Sequence, residues 1–380
     1  MKKLIVIFIL LIIFSLCGFK QEEKQELRGV FVSYIEEKQY LTSDYEASKD
    51  NIRKIVENLK TNNYNLIILQ VRSNSDAIYP SDIFPFSNIL TGIEGEDYFD
   101  VLDYFLQLAH QNDIKVYGWI NPYRIRTTES IDTICPQNPA YKYLNTNYIY
   151  INDGIYYNPS KQEVEDLIVE GIEEILKKYK VDGIIFDDYF YPADDIDIEE
   201  YNTYIKTNDY IELKDYHLMI INKMVKRVHE LCSKYNIIFG ISPDGNINNN
   251  YTYLYADIYK WLDSTEYVDF IMPQIYYGFE NENQPFYQTV HEWNKSIKND
   301  NIKLIIALAL YKSGNIDIYA KSGSEEWIHN KNIIKKEIII SRNLNHYAGF
   351  SLFRYDHLYN ENLQNENIKE EIKNLHQMLN

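Results

Sequence analysis

Eight short apolar runs alternate with helical stretches from Leu27 onward, and this rhythm limits the fold more than any other feature of the chain. The runs are LRGVFVSYI from Leu27, NLIILQVRS from Asn65, IKVYGWINPYR from Ile114, VDGIIFDDYF from Val181, NIIFGISPDG from Asn236, VDFIMPQIYYG from Val268, IKLIIALALY from Ile302 and YAGFSLFRYD from Tyr347. Each is short, rich in Ile, Val and Phe, and bounded by polar turns, as strands buried on both faces are. Between them lie 3.6-residue patterns. The clearest is SKQEVEDLIVEGIEEILKKY, with Val164, Leu167, Ile168, Ile172, Ile175 and Leu176 on one face. Its acidic first half and terminal Lys177 and Lys178 match the helix dipole.

Eight strand–helix repeats in about 350 residues point to an α/β fold, a (β/α)8 barrel. A doubly wound open sheet is the other arrangement, but neither glycine-rich phosphate loop, G-x-G-x-x-G or G-x-x-x-x-G-K, occurs. Two long βα-loop insertions are expected, 127–159 after the third strand and 193–214 after the fourth. Both fall at the strand ends, where a barrel builds its site. Residues 27–380 are expected to form one domain, since no Pro/Gly/Ser-rich linker interrupts them.

The N-terminal segment has Lys2 and Lys3, then an apolar run from Leu4 to Cys17. This is the layout of a secretory signal, and the run is short for a membrane span. Cys17–Gly18 resembles a lipobox, although Leu16 stands where a small residue is preferred. Residues 1–17 are therefore read as a signal or lipoprotein segment with Cys17 as the lipidation candidate, and 18–26 as a polar tether. Plain secretion and an uncleaved anchor are the other outcomes. Each puts the body in the cell envelope or beyond, with membrane attachment only through this segment. Cys135 and Cys232 fit no zinc pattern and are given no role. A net charge of −18 repels phosphate backbones, which argues against nucleic acid as a partner. The oligomeric state is left open.

The strand ends carry the chemistry. After successive runs come Ser33 and Tyr34; Gln70, Arg72 and Asp76; Trp119, Asn121, Tyr123 and Arg124; Asp187, Asp188 and Tyr189; Ser242 and Asp244; Gln274, Tyr276 and Tyr277; Tyr311 and Lys312; and Arg354 and Asp356. A ring of carboxylates, amides and aromatics at one rim suits carbohydrate. Sugar C–H faces stack on Trp and Tyr, and glycosidic cleavage needs one protonated and one ionised carboxyl group. Strand alternation places Asp187 inward if Gly183 and Ile185 face the axis, and turns Asp188 toward the neighbouring loop or helix layer. Asp187 is the candidate nucleophile or charge stabiliser. Asp188 is an acid candidate, an orienting group or a turn cap. Asp76 and Asp244 are further acids that also suit turns, and Arg72 is expected to pair with one of these acids or to bind a substrate carboxylate.

The segments RGVFVSY, QVRSNSDAIYPS, GWINPYR, VDGIIFDDYFYP, FGISPDG and DFIMPQIYYG, in this order over about residues 27–280, resemble the glycosyl hydrolase-like 10 family. The resemblance implies a (β/α)8 fold, glycan hydrolysis and, in envelope lipoproteins of the family, cleavage of peptidoglycan glycan strands stripped of peptides. Carried to this chain, the family's polar positions fall on Arg72, Asp76, Asn121, Arg124, Asp187, Asp188 and Gln274. The chain departs from the family pattern at Asp244 and at Tyr277, where a tryptophan is usual. A polysaccharide substrate is thus expected, with no cofactor and no metal. A chitinase-type mechanism is disfavoured, because Tyr189 stands where its glutamate would be. A metal-dependent deacetylase is disfavoured by the lack of a compact His pair. Another polysaccharide, such as an α-glucan, and a non-catalytic glycan-binding barrel remain as alternatives.

Overall fold

The structure is a computed structural model and describes residues 25–380. The signal segment, Cys17 and nearly all of the tether lie outside the described residues. Eight parallel strands close into a barrel: β1 (Leu27–Val32), β2 (Leu66–Arg72), β3 (Lys115–Ile120), β4 (Gly183–Phe186), β5 (Ile238–Ile241), β6 (Phe270–Ile271), β7 (Lys303–Ala309) and β8 (Tyr347–Phe353). Each strand pairs with its sequence neighbours, and β8 closes on β1. An open sheet is thereby ruled out.

An outer-layer helix follows each strand, with shorter helices in several of the loops: α1 (Tyr45–Thr61), α2 (Val101–Gln111), α3 (Gln162–Lys178), α4 (Leu213–Lys234), α5 (Ile258–Asp263), α6 (Phe286–Ser296), α7 (Ile333–Ser341) and α8 (Glu366–Leu379). In α3 the residues Val164, Ile168, Ile172, Ile175 and Leu176 are buried as the sequence pattern expects, and Leu167 is half-buried against them.

Two apolar layers result from strand alternation. Phe31, Leu66, Ile68, Tyr117, Trp119, Ile185, Phe270, Met272, Ile305 and Ala307 fill the barrel interior. Val30, Val32, Ile67, Leu69, Ile184, Phe186 and their equivalents face the helices. Gly183 opens β4 for a steric reason. A Cβ there would approach 2.9 Å from the Tyr117 ring, which already occupies the interior.

Both expected insertions are present. The loop after β3 carries a three-stranded antiparallel sheet, Arg124–Arg126, Ile149–Ile151 and Ile155–Tyr157. The loop after β4 carries a short helix, Ile198–Thr207.

Several carboxyl groups are buried in the wall. Both carboxyl oxygens of Glu37 and of Glu337 have no hydrogen-bond partner among the described residues. Burial raises both groups well above the ordinary glutamate value of 4.5, and raises Glu36 and Glu371 to about 7. In the folded chain these acids keep protons that the unfolded chain releases above about pH 4.5. The contribution of Glu36 and Glu371 to stability is therefore full below that pH and is lost as pH rises through about 7, and that of Glu37 and Glu337 changes in the same direction. The thermal midpoint is expected to be lower at pH 8 than at pH 5. Glu337→Leu removes an unsatisfied polar group worth about 1–3 kcal/mol and should narrow that gap. Thermal melts at the two pH values test this, and an unchanged gap in the variant would contradict it.

Candidate active site

The C-terminal ends of the strands surround a cavity of about 230 Å³. Its lining brings Phe31, Ser33, Gln70, Trp119, Ser242, Gln274 and Phe353 from the strands or their ends together with Tyr34, Arg124, Asp187, Asp188, Tyr189 and Tyr276. One wall is continuously aromatic. Phe31 meets Trp119 edge-on at 5.5 Å and Phe353 at 5.6 Å, and Phe353 continues to Tyr276 at 5.9 Å. Lys312 holds this wall by donating to the Tyr276 carbonyl at 2.7 Å while pairing with Asp317.

Asp187 continues the inward set that begins at Gly183 and Ile185. It is buried and surrounded by donors. Asn121 Nδ2 and, at 3.3 Å, Trp119 Nε1 donate to its Oδ2, and the Tyr189 N–H approaches Oδ1 at 3.5 Å. Asn121 is itself oriented. Gln70 Nε2 donates to its Oδ1 at 2.6 Å, and the Tyr34 N–H donates to Gln70 Oε1 at 2.9 Å. A line of amides thus runs from β1 through β2 and β3 to the carboxylate after β4. Burial pushes the Asp187 carboxyl up, while Arg124 and the donors pull it back.

Asp188 is placed differently from the sequence expectation. It does not turn into the helix layer but lines the same cavity. The strand ends at Phe186, so the two-residue alternation no longer governs Asp188. Burial first, then the charge of Asp187, raise its carboxyl to about 7, and the Gln274 side chain offsets part of that rise. Gln274 is anchored by its own Nε2 donating to the Ser242 carbonyl at 2.9 Å. The pair therefore loses its protons in two steps. Asp187, with three donors, ionises first, and Asp188 keeps its proton toward neutrality.

Other expected site residues lie outside the cavity lining. Asp76 is buried and accepts from Ser87 Oγ at 2.9 Å, with Arg126 at 3.7 Å. Burial raises it to about 6, but it serves a network with Arg126 and Glu94. Among the described residues Arg72 pairs with no acid, and it does not line the cavity. Its guanidinium lies 4.2 Å over the Phe84 ring, against Gly171 of α3, where a Cβ would fall 2.0 Å from Nη1. A register shift between Gln70 and Arg72 turns the arginine out of the inward-facing set. Tyr123 is buried in the outer core and, with Tyr156, Tyr189, Phe190 and Tyr191, lines a neighbouring aromatic cleft. Tyr277 packs against Gly245. Asp244 is a turn acid that accepts from the Asn246 N–H at 2.6 Å. Asn121 sits one layer beneath the cavity, behind Asp187. Phe31 and Phe353 were not singled out from sequence. They sit at inward positions of β1 and β8, and following the alternation along each strand finds them.

The family profile of glycosyl hydrolase-like 10 proteins matches residues 26–322. The chain belongs to this family. It is 29% identical over 339 residues to glycosyl hydrolase YngK of Bacillus subtilis strain 168, covering 81% of this chain and 65% of that protein. The chain thus spans just under two thirds of that relative's length. It is 27% identical over 379 residues to glycosyl hydrolase DigH of Escherichia coli K12, covering 89% and 85%. Two solved barrels share the fold. The PgaB (BpsB) glycoside hydrolase domain of Bordetella bronchiseptica superposes with a TM-score of 0.57 at 13% identity, over 92% of this chain and 99% of that one. Alpha-L-fucosidase isoenzyme 2 of Paenibacillus thiaminolyticus gives 0.56 at 13%, over 93% and 49%.

Proposed function

We propose that the protein is a glycoside hydrolase of bacterial cell-wall glycan, acting on peptidoglycan strands freed of their peptides. The observation that carries the hydrolase reading is the carboxyl pair, Asp187 and Asp188, in one aromatic-walled cavity with their titrations split by environment. Asp188 holds a proton up to about pH 7 and acts as general acid on the leaving oxygen. Asp187, ionised and clamped, acts at the anomeric carbon as nucleophile or as stabiliser of the developing positive charge. Trp119, Tyr276 and Tyr189 give the sugar faces to stack on. The cell-wall substrate is supported by the chain's resemblance to a family with envelope members and by the secretory layout of residues 1–17, a layout that also favours a body outside the cytoplasmic membrane.

Residues 27–380 incubated with a panel of peptide-free peptidoglycan strands, intact peptidoglycan, chitin oligosaccharides and an α-glucan test the substrate. Reducing ends should appear fastest from the peptide-free strands. Faster release from the α-glucan would refute the cell-wall assignment, and saturable binding without release from any would favour a glycan-binding barrel.

Asn121 is a positioning residue in this scheme. Asn121→Ala removes one donor from Asp187 and breaks the amide line from Gln70. A carboxylate free to drift by about 1 Å costs on the order of 100-fold in kcat. KM should change much less, and a variant with wild-type kcat would show that the line is only structural.

A further inference from the structure

Among the described residues, Arg124 is the one cation that lines the acid cavity. Its Nε donates to the Ser73 carbonyl at 2.9 Å, which fixes the stem. Its guanidinium carbon lies 5.4 Å from the Tyr34 ring and 5.8 Å from the Tyr189 ring, so two aromatic faces hold the charged plane. Backbone support comes from the inserted sheet, where Arg124 pairs with Tyr156. Among the described residues, no carboxylate lies within 4.0 Å of it and neither terminal amino group has a hydrogen-bond partner. By contrast, its neighbour Arg126 pairs with Glu94, and Arg354 pairs with Asp356. In a chain of net charge −18, a half-buried arginine whose charge acts on Asp187 but which makes no ion pair leaves its fork free beside a reactive cavity.

We infer that Arg124 is a specificity-determining residue that binds a free carboxylate borne by a sugar of the substrate. This rests on the reading of the cavity as a glycan site. The planar fork matches a carboxylate through two parallel N–H bonds. A monoanion is favoured over a phosphate dianion. The cavity offers one guanidinium, and Asp187 and Asp188 beside it would repel the second charge. On a peptidoglycan strand the matching group is the lactyl carboxylate, which is free only where no peptide is attached. A stem peptide turns that carboxylate into a neutral amide and removes the charge that Arg124 would bind. The substrate's anion also lies against a protein surface that repels it, so recognition depends on this one local contact.

Two glycans test the inference: peptide-free strands, and the same strands with their carboxylates coupled to methylamine. The readout is the ratio of kcat/KM on the first to that on the second. Wild type should favour the carboxylated strands by about 10- to 100-fold, the range for a hydrogen bond to a charged group. In Arg124→Gln the ratio should collapse toward one, and in Arg124→Lys it should fall between. A ratio keeps effects on Asp187 or on folding apart from recognition, because those act on both glycans alike. A wild-type ratio near one, or a wild-type-like ratio in Arg124→Gln, overturns the inference. If neither glycan is hydrolysed, the hydrolase reading fails by itself. The same ratio taken from calorimetric binding constants then decides the role of Arg124.

Discussion

Asp187→Asn is expected to lower kcat by on the order of 10⁴-fold or more while the protein stays folded. The substitution keeps the shape of the side chain but removes the charge that meets the anomeric carbon. It also leaves one acceptor oxygen where there were two: with that oxygen kept toward Asn121 and Trp119, the NH2 group faces the Tyr189 N–H. Binding of glycan should survive, because the aromatic wall of Phe31, Trp119, Phe353 and Tyr276 does not depend on the charge. The comparison is a KM-against-kcat split by steady-state kinetics, with thermal melting to confirm folding. A loss confined to KM would place Asp187 in binding and not in the chemistry.

Asp188→Asn should cost about 10²- to 10⁴-fold in kcat, the usual span for a general acid. Its signature is in the pH dependence. The folded carboxyl is raised to about 7, so the active, protonated form persists to near-neutral pH and disappears above it. Wild-type activity should fall as pH rises through about 7, and fall again on the acid side where Asp187 takes up its proton. In Asp188→Asn the alkaline limb should vanish and the residual rate should be flat above neutrality. Leaving groups that need no protonation, such as nitrophenoxide, should recover much of the lost rate. An alkaline limb that persists in the variant would assign the proton to another group.

Much of this site could be read along the strands, because the pleat fixes which side chains share a face. Gly183, Ile185 and Asp187 kept to that rule, and so did Trp119 and Asn121. The rule failed where backbone geometry changed. Asp188 follows the end of β4, where the chain turns and both acids enter the same cavity. Arg72 follows a register shift that no residue type announces, so a rim arginine became an outward-facing one. Tyr123 lies in the turn that leads into the inserted sheet, and only that sheet's pairing shows that its ring is buried. The turn reading holds for Asp244, which accepts from the Asn246 N–H, whereas Asp76 is held by Ser87 and Arg126 from other parts of the chain. The barrel itself was legible because eight Ile/Val-rich runs and their helices all point to the same architecture, whereas the position of Arg124 depends on a small sheet built from an irregular insertion.

The most direct measurement is the release of glycan fragments from peptide-free peptidoglycan strands by residues 27–380, weighed by mass spectrometry beside Asp187→Asn and Asp188→Asn. The expected result is a ladder of fragments with new reducing ends from the wild type, with both variants folded and slower by at least about 100-fold. Equal ladders from wild type and either variant would remove that aspartate from the chemistry. No ladder from folded wild-type protein would contradict the account at its centre.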